Sequence, residues 1–412
     1  TLMEDVLYRK LVDQCHPIHG YEINRNGSDL EPLRKILRDV RIVALGEGSH
    51  GTSEHFRLKN RMIRFLVEEM GFQIFSIEAS LWDCKNIDDY VMMGKGDKHA
   101  ALASQRFWTW DTHEVMELID WMREYNLNCP RGRECHFWGF DMQIIGDICA
   151  QLPELIDLME PDASEKTRHL LHSLKETRRG TDYADLEQQT LQFYGWFKAN
   201  QDMLKARLGP GRVSHFEDGV RTLVQYIIMT EQGDVNDVRD QYMAENAARQ
   251  VDSLDPAAKV ILWAHDGHIS KRFTWKNLGQ RLAERYGSQY YAMGFALGGG
   301  IFQSRLFNRE TGEFGALQNF DIPAFGEHTW EHELGNLYPN DFFMDLRSTC
   351  SDNQMRAWAD QCKPFVMLDE AWDPVHGLHH YEFPMVLSEC YDGIVFTHHT
   401  TAAVQNETGK RG

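Results

Sequence analysis

Two hydrophobic periods alternate along this chain. Short β-branched or aromatic runs lie at 41–44, 72–77, 136–140, 260–263, 290–297, 342–346, 365–368 and 393–397, bounded by polar residues or glycine. Runs of that kind predict strands. Between them, apolar residues recur at helical spacing. Leu30, Leu33, Ile36 and Leu37 share one face in a helical entry segment over 1–40. Phe56, Met62, Ile63, Leu66 and Met70 do so beyond Ser53, and Val115, Leu118, Ile119 and Met122 beyond Glu114. Asp111 and Glu114 have the spacing of a capping box at the start of that last helix. Further helices are expected at 88–93, closed by Gly94-Lys95-Gly96, and around Glu331.

The stretch 150–252 has no strand pattern; its charged helical segments break at Arg179-Gly180 and Gly209-Pro210-Gly211. Residues 301–307 are expected to pair back on 290–297 as a hairpin across Gly298-Gly299-Gly300. The polar tail after Val404 is expected to fray. Strands alternating with helices predict an α/β fold, a central, mostly parallel sheet flanked by helices, with a large helical insertion. The expected organisation is 1–150 as the first part of the core, 151–252 as the insertion and 253–412 as the second part of the core.

In a parallel sheet the carboxyl ends of the strands share one edge, where ligands bind. Titratable residues cluster at those ends here: Glu47 and His50, then Glu78, then Asp141, then His265 and His268. They are expected to converge in one cleft. Glu47 and His50 lie in LGEGSHG, a strand-to-helix turn at 45–51. Imidazole accepts and returns a proton near neutral pH, so His50 is the candidate general base. Glu47 or Glu78 would hold its tautomer. Ser49 follows Gly48 directly, which breaks the G-x-S-x-G pattern of a nucleophile elbow, so Ser49 reads as a turn or cap residue. Glu78 at the end of an apolar strand would have its pKa raised by desolvation unless a cation is near, and Lys59 is the candidate cation. The charged run from Val238 through Arg239 and Asp240 reads as an exposed helical face. Gly298-Gly299-Gly300 lacks the spacing of a dinucleotide site, and the pairs His379-His380 and His398-His399 read as solvated or packed.

Composition narrows the partners. Among 412 residues, 62 acidic against 43 basic side chains give a formal charge of -19, which opposes binding to a phosphate backbone. Eight cysteines occur without any CxxC pair, so reduced thiols are expected. No apolar run has the ~20 residues of a membrane span. The first residues show no basic start followed by an apolar stretch, so no signal peptide is expected and the cytoplasm is the expected location. The expected partner is a small-molecule ester, with neither nucleic acid nor membrane.

The residues also carry a resemblance. LGEGSHGTSEHFRLKNRMIRFLVEEMGF, FSIEAS, WDTHEVMELIDWMREYN, GFDMQ at 139–143, VRDQYMAEN within 235–246 and ILWAHDGHI together resemble the erythromycin esterase family, in the same order. The resemblance implies a metal-independent, cofactor-free hydrolase that opens the lactone ester of macrolide antibiotics. It implies that His50 activates water, that Glu47 and Glu78 are essential and that His265 and His268 line the cleft. Lys59, Glu54, Arg239 and Asp141 are expected to bind substrate. Some members carry Arg where this chain has Lys59, and Lys lacks the planar fork of Arg. Two other readings stand beside this one. The same carboxylates and imidazoles could ligate zinc or manganese, although no HExxH run is present. The fold could also serve a non-catalytic binding protein or a polysaccharide-biosynthesis accessory.

Overall fold

The structure, a computed structural model, describes residues 2–177, 180–232, 235–254 and 258–407. In chain order its strands are β1 (His16–Pro17), β2 (Ile42–Leu45), β3 (Ile74–Ser80), β4 (His136–Asp141), β5 (Val260–Trp263), β6 (Tyr290–Leu297) and β7 (Ile301–Asn308). They continue as β8 (Glu313–Asp321), β9 (Phe342–Asp345), β10 (Cys362–Val366), β11 (Ala371–Trp372), β12 (Glu382–Val386) and β13 (Gly393–Thr397). Eight of them form the central sheet, in the order β1-β9-β13-β6-β2-β5-β3-β4. From β13 to β4 every neighbouring pair is parallel. Only β9, next to the β1 edge, runs against the others, so its pairings with β13 and β1 are antiparallel. The fold is therefore α/β with a mostly parallel sheet.

The period-2 alternation of the strands divides the core. Ile42, Ala44, Val260, Leu262, Tyr290 and Ala292 face one side and pack with Met243, Ala247 and Val251 of the helix Val235–Ser253. Val43, Leu45, Ile261, Trp263, Tyr291 and Met293 face the other and meet Phe56, Ile63 and Leu66 of the helix Ser53–Met70. Both faces are covered, as parallel sheets require, so β2, β3, β5 and β6 are buried along their whole length.

From Gly146 to Ser253 the described residues are helical or connect helices. Leu155, Leu170, Phe193, Phe197, Phe216 and Leu223 make a cluster of their own there. His215 stacks on Trp82 of the core with ring centroids 3.8 Å apart. The break at Gly209 is seen, with Pro210 opening the next helix; Arg179 lies outside the described residues.

Four local expectations need correction. The run 301–307 does not pair with β6. β7 lies antiparallel to β8 and parallel to β11 in a separate three-stranded sheet. Gly300, at φ 110, turns the chain out of β6, and the Ile301 N–H bonds Thr400 O at 2.9 Å instead. The helix His113–Asn128 is capped by Thr112, whose side chain accepts from Val115 N, whereas Asp111 holds the Asn406 amide at 2.8 Å. That contact also ties down the first residues after Val404: Gln405 and Asn406 are buried, and 408–412 lie outside the described residues. The entry segment is interrupted, with helices at Leu2–Asp13 and Pro32–Ile36 separated by β1.

The turn after β2 is glycine-rich because backbone crowds it. A Cβ on Gly51 would stand 1.9 Å from the carbonyl oxygen of Gln303, and one on Gly46 would stand 2.0 Å from Asp266 Oδ1. Gly51 also accepts the N–H groups of Gln303 at 3.0 Å and Ala403 at 2.9 Å. Gly51→Ala should therefore lower stability by at least about 1–3 kcal/mol, the usual cost of overpacking, read as an earlier midpoint in urea unfolding. An unchanged midpoint would refute the close approach.

Candidate active site

β2 stops at Leu45, the turn carries Glu47 and His50, and the next helix begins at Ser53. Glu47 is fully buried and has three donors. His50 Nδ1 lies 2.6 Å from its Oε1, while Lys59 Nζ at 2.6 Å and Trp263 Nε1 at 3.1 Å share Oε2. Lys59 comes from the second turn of the following helix and is itself fully buried, with its ammonium 3.8 Å from the Trp263 ring centroid. Burial alone would raise the Glu47 pKa, but the Lys59 charge and the His50 bond outweigh it and hold the carboxyl below its ordinary range. Burial disfavours charge on His50 too; the Glu47 hydrogen bond and charge prevail and raise His50 to about 9. The Nδ1–H is thus committed to Glu47, and Nε2, with no partner among the described residues, faces a cavity.

A second carboxylate sits on β3. Glu78 is a strand residue rather than the residue after the strand, and it is 5 % exposed. Its cations are His268 Nε2 at 2.9 Å and Arg239 Nη2 at 3.1 Å, not Lys59. Burial raises Glu78, and these two cations drive it well below the ordinary value. His268 in turn gives Nδ1–H to Asp240 at 2.8 Å, and Asp240 also accepts Leu278 N–H at 2.8 Å. Against burial, Asp240 and Glu78 raise His268 to about 10, so it is an imidazolium at neutral pH. Arg239 reaches Asp141 as well, at 2.8 Å.

His265 is the opposite case. Burial, then the charge of His50, lowers it to about 4. Its Nε2–H donates to Leu368 O at 2.7 Å and its Nδ1 accepts from Gly267 N at 3.3 Å, which fixes one neutral tautomer and occupies both nitrogens. Its ring centroid is 4.8 Å from that of His50.

The cavity has a volume of about 710 Å³. His50, Glu78, Arg239, His265 and His268 line it at one end. Trp108, Trp110, Phe273, Trp275, Phe314 and Phe383 supply aromatic walls. Glu47, Lys59 and Asp141 stand behind this wall with no surface exposed. Glu54 is elsewhere: its carboxylate binds the N–H of Thr401 at 2.7 Å and the Thr401 hydroxyl at 2.6 Å, because it caps the segment that crosses the helix start. It is not part of the cavity wall. The stretch Val238-Arg239-Asp240 does not form an exposed face; Asp240 is fully buried and Arg239 lines the cavity. Among the described residues no group of three or more His, Cys, Asp or Glu side chains is disposed to hold a metal ion. The donor atoms of Glu47, Glu78, His265 and His268 are committed to N–H partners or carbonyls of the protein.

Sequence reasoning did not single out Trp110, Arg305, Asp369 and Glu370, which also line the cavity. Asp369 and Glu370 follow the predicted strand at 365–368, so the strand-end argument applied to Glu47 and Glu78 would have found them.

A model of the erythromycin esterase family matches residues 67–400. The chain belongs to that family. The matched span begins after the turn that holds Glu47 and His50. The chain is 24% identical over 376 residues to an erythromycin esterase type II of Escherichia coli, covering 82% of this chain and 87% of that one. It is 26% identical over 308 residues to the putative hydrolase YbfO of Bacillus subtilis, with 66% and 68% covered. Among solved structures it superposes on a mutant erythromycin esterase in its open conformation with a TM-score of 0.69 at 19% identity, covering 97% and 98%. A succinoglycan biosynthesis protein gives a TM-score of 0.78 at 22% identity, covering 98% and 100%. At these identities the structural likeness shows the fold alone. Family membership supports hydrolase activity. No described helix is long and apolar enough to cross a membrane.

If Glu47 sets the charge of His50, the His50 ring titrates near 9 rather than at its ordinary 6.5. Glu47→Gln removes the charge that holds the proton, so the ring should then lose it at lower pH. Imidazole NMR titration of both proteins checks this. A His50 inflection near 6.5 in the wild type would break the assignment.

Proposed function

We propose that this protein hydrolyses carboxylic esters by activating water at His50, with the lactone of a macrolide antibiotic as its substrate. The observation that carries the reading is the His50 imidazole, anchored through Nδ1 to Glu47 and open at Nε2 toward the cavity. Support for the substrate comes from the relative of known name and from the cavity of about 710 Å³, which falls in the range of small-molecule sites.

Neutral His50 accepts a proton from water at Nε2 while Glu47 stabilises the imidazolium that forms. Lys59 keeps Glu47 ionised and fixed, so the ring cannot swing. The hydroxide adds to the ester carbonyl. His265 has no free N–H for the oxyanion, and Lys59 is sealed behind Glu47. A donor that stands beside Glu78 and His268 is Arg239, whose Nη1 lies 3.2 Å from His268 Nε2. Two cations cannot bond each other there, so an Nη1–H remains to meet developing negative charge. His268 and Asp240 hold Glu78, and Glu78 aims Arg239.

Two outcomes are expected. Incubation with macrolides and simple esters, read by mass spectrometry, should show products heavier by one water. His50→Ala should fold normally and lose roughly 10²–10⁴-fold in kcat, or about 3–5 kcal/mol of barrier, with KM little changed. A folded His50→Ala protein with near-wild-type turnover would falsify the base assignment. Because the base must be deprotonated, wild-type kcat/KM on an ester whose alcohol leaves without protonation, such as p-nitrophenol, should rise with pH up to about 9, the value to which Glu47 lifts His50. A plateau already reached near pH 7 would remove His50 from that role.

A further inference from the structure

The segment 367–370 is tethered through several of its backbone groups. Leu368 N donates to Gly48 O at 2.8 Å, inside the turn that carries His50. Leu368 O accepts the His265 Nε2–H at 2.7 Å. Asp369 O accepts the Ser304 hydroxyl at 3.0 Å, and Glu370 O accepts Arg305 N–H at 3.0 Å. These bonds fix the position of two adjacent side chains, Asp369 and Glu370, on the cavity wall. Neither carboxyl forms an ion pair with Lys or Arg among the described residues; the nearby Arg305 guanidinium lies 5.5 Å from the Phe314 ring centroid. The two adjacent carboxyls lie close enough for one to share a proton with the other. Both carboxyls are solvent-exposed on that wall; partial desolvation against it and the Glu370 charge raise Asp369, to about 7, against the pull of His50. His50 lines the same cavity; it is nine-tenths buried, and its Nε2 has no partner among the described residues. Apart from the Ala371 N–H, 3.4 Å from Asp369 Oδ1, this acid pair has no protein donor among the described residues, and it stands on the wall of the cavity to which the His50 imidazole is open.

We propose that Asp369, sharing its proton with Glu370, is the general acid that protonates the alkoxide leaving from the ester. The proposal rests on the esterase reading above. Water gives one proton to His50 Nε2 and its oxygen bonds the acyl carbon. The bond from that carbon to the alcohol oxygen then breaks, its electron pair staying on oxygen, and Asp369 delivers its proton there. The products are the carboxylic acid and the alcohol. His50 returns its proton to the carboxylate pair through water, and the site is reset. A separate acid is chemically useful because Glu47 makes His50 a reluctant donor: an imidazolium titrating near 9 gives up a proton less readily than a carboxyl titrating near 7.

The leaving group is the test. The full-length wild type, Asp369→Asn, Asp369→Glu and His50→Ala are compared on two esters of one acyl group. One carries p-nitrophenol, which leaves without protonation, and the other a simple alkyl alcohol. Asp369→Asn should reduce the ratio of alkyl to nitrophenyl kcat by about 10²-fold or more, the usual worth of a positioned acid, with KM unchanged. Asp369→Glu should recover part of the ratio, and so exclude a folding defect as its cause. Equal losses on both esters overturn the proposal. So does a rise in KM confined to esters bearing an ammonium group, which would make the pair a cation subsite. A wild type that cleaves neither ester, or a His50→Ala protein that cleaves nitrophenyl ester normally, instead removes the underlying esterase reading. A failed acid assignment alone leaves the His50→Ala loss on both esters intact.

Discussion

Everything at this sheet edge follows from putting Glu47 where water cannot reach it. An isolated carboxylate there is prohibitively costly, because the effective desolvation penalty is several kcal/mol per ion. The chain answers with Lys59, placed twelve residues later on the helix that the same turn begins, and with the Nε1–H of Trp263 on the adjacent strand β5. Two hydrogen bonds then hold one oxygen, leaving the other for His50. The pair should not be read as net stabilisation, since buried ion pairs commonly break even against apolar side chains. Its consequence is geometric: the turn, the first long helix and β5 share one charge network, and the imidazole inherits their rigidity.

Glu78 repeats the arrangement in another vocabulary. Its neutralising partners are Arg239 and His268, and these are neutralised in their turn by Asp141 and Asp240. The carboxylates and cations therefore alternate from β4 through the helix Val235–Ser253 to the segment after β5. Breaking one member strands a buried charge, which typically costs about 3–5 kcal/mol. It also explains why two histidines three residues apart differ so sharply. His268 lies between two carboxylates and is cationic; His265 lies between a carbonyl and an amide N–H and is neutral. Proximity in sequence says nothing of charge when the neighbours come from elsewhere.

That distinction marks what could be read from the chain alone. Strands β2, β3, β5, β6 and β13 were legible because burial on both faces leaves uninterrupted apolar runs, and parallel order brings their ends to one edge. Glu47, His50, Glu78, His265 and His268 meet there for that reason. The partner of each was not legible. Lys59 was expected at Glu78 and stands at Glu47. Arg239 and Asp240 looked like solvated helix charges, since the paired charges of Val238-Arg239-Asp240 and the following Met243-Ala244-Glu245-Asn246 have the composition of an exposed face. Only the docking of that helix on β4, through contacts such as Asn246 to Phe140 O at 3.0 Å, turns them inward. The hairpin misassignment has a similar origin. Sequence adjacency favoured β6 as the partner of β7, but β6 already has β13 and β2 on its two sides and no free edge to offer.

The displaced hairpin matters for the chemistry. With both edges of β6 filled, β7 and β8 must leave the central sheet, and they take Arg305, Phe314 and Leu317 over the cavity. β11 then pairs with β7 in parallel, which delivers the preceding residues, Asp369 and Glu370, to the same wall. The central sheet supplies the base and the paired charges; the small sheet supplies apolar cover and a second pair of carboxyls. These two surfaces answer to different constraints. The first is fixed by buried ion pairs that tolerate no unpaired member. The second has an exposed Phe314 and an Arg305 that rests on its ring without a carboxylate partner among the described residues, so its side chains can change without stranding a buried charge. Variation in what the cavity accepts is therefore physically easiest on β7 and β8, while variation in the proton chemistry is hardest at the end of β2.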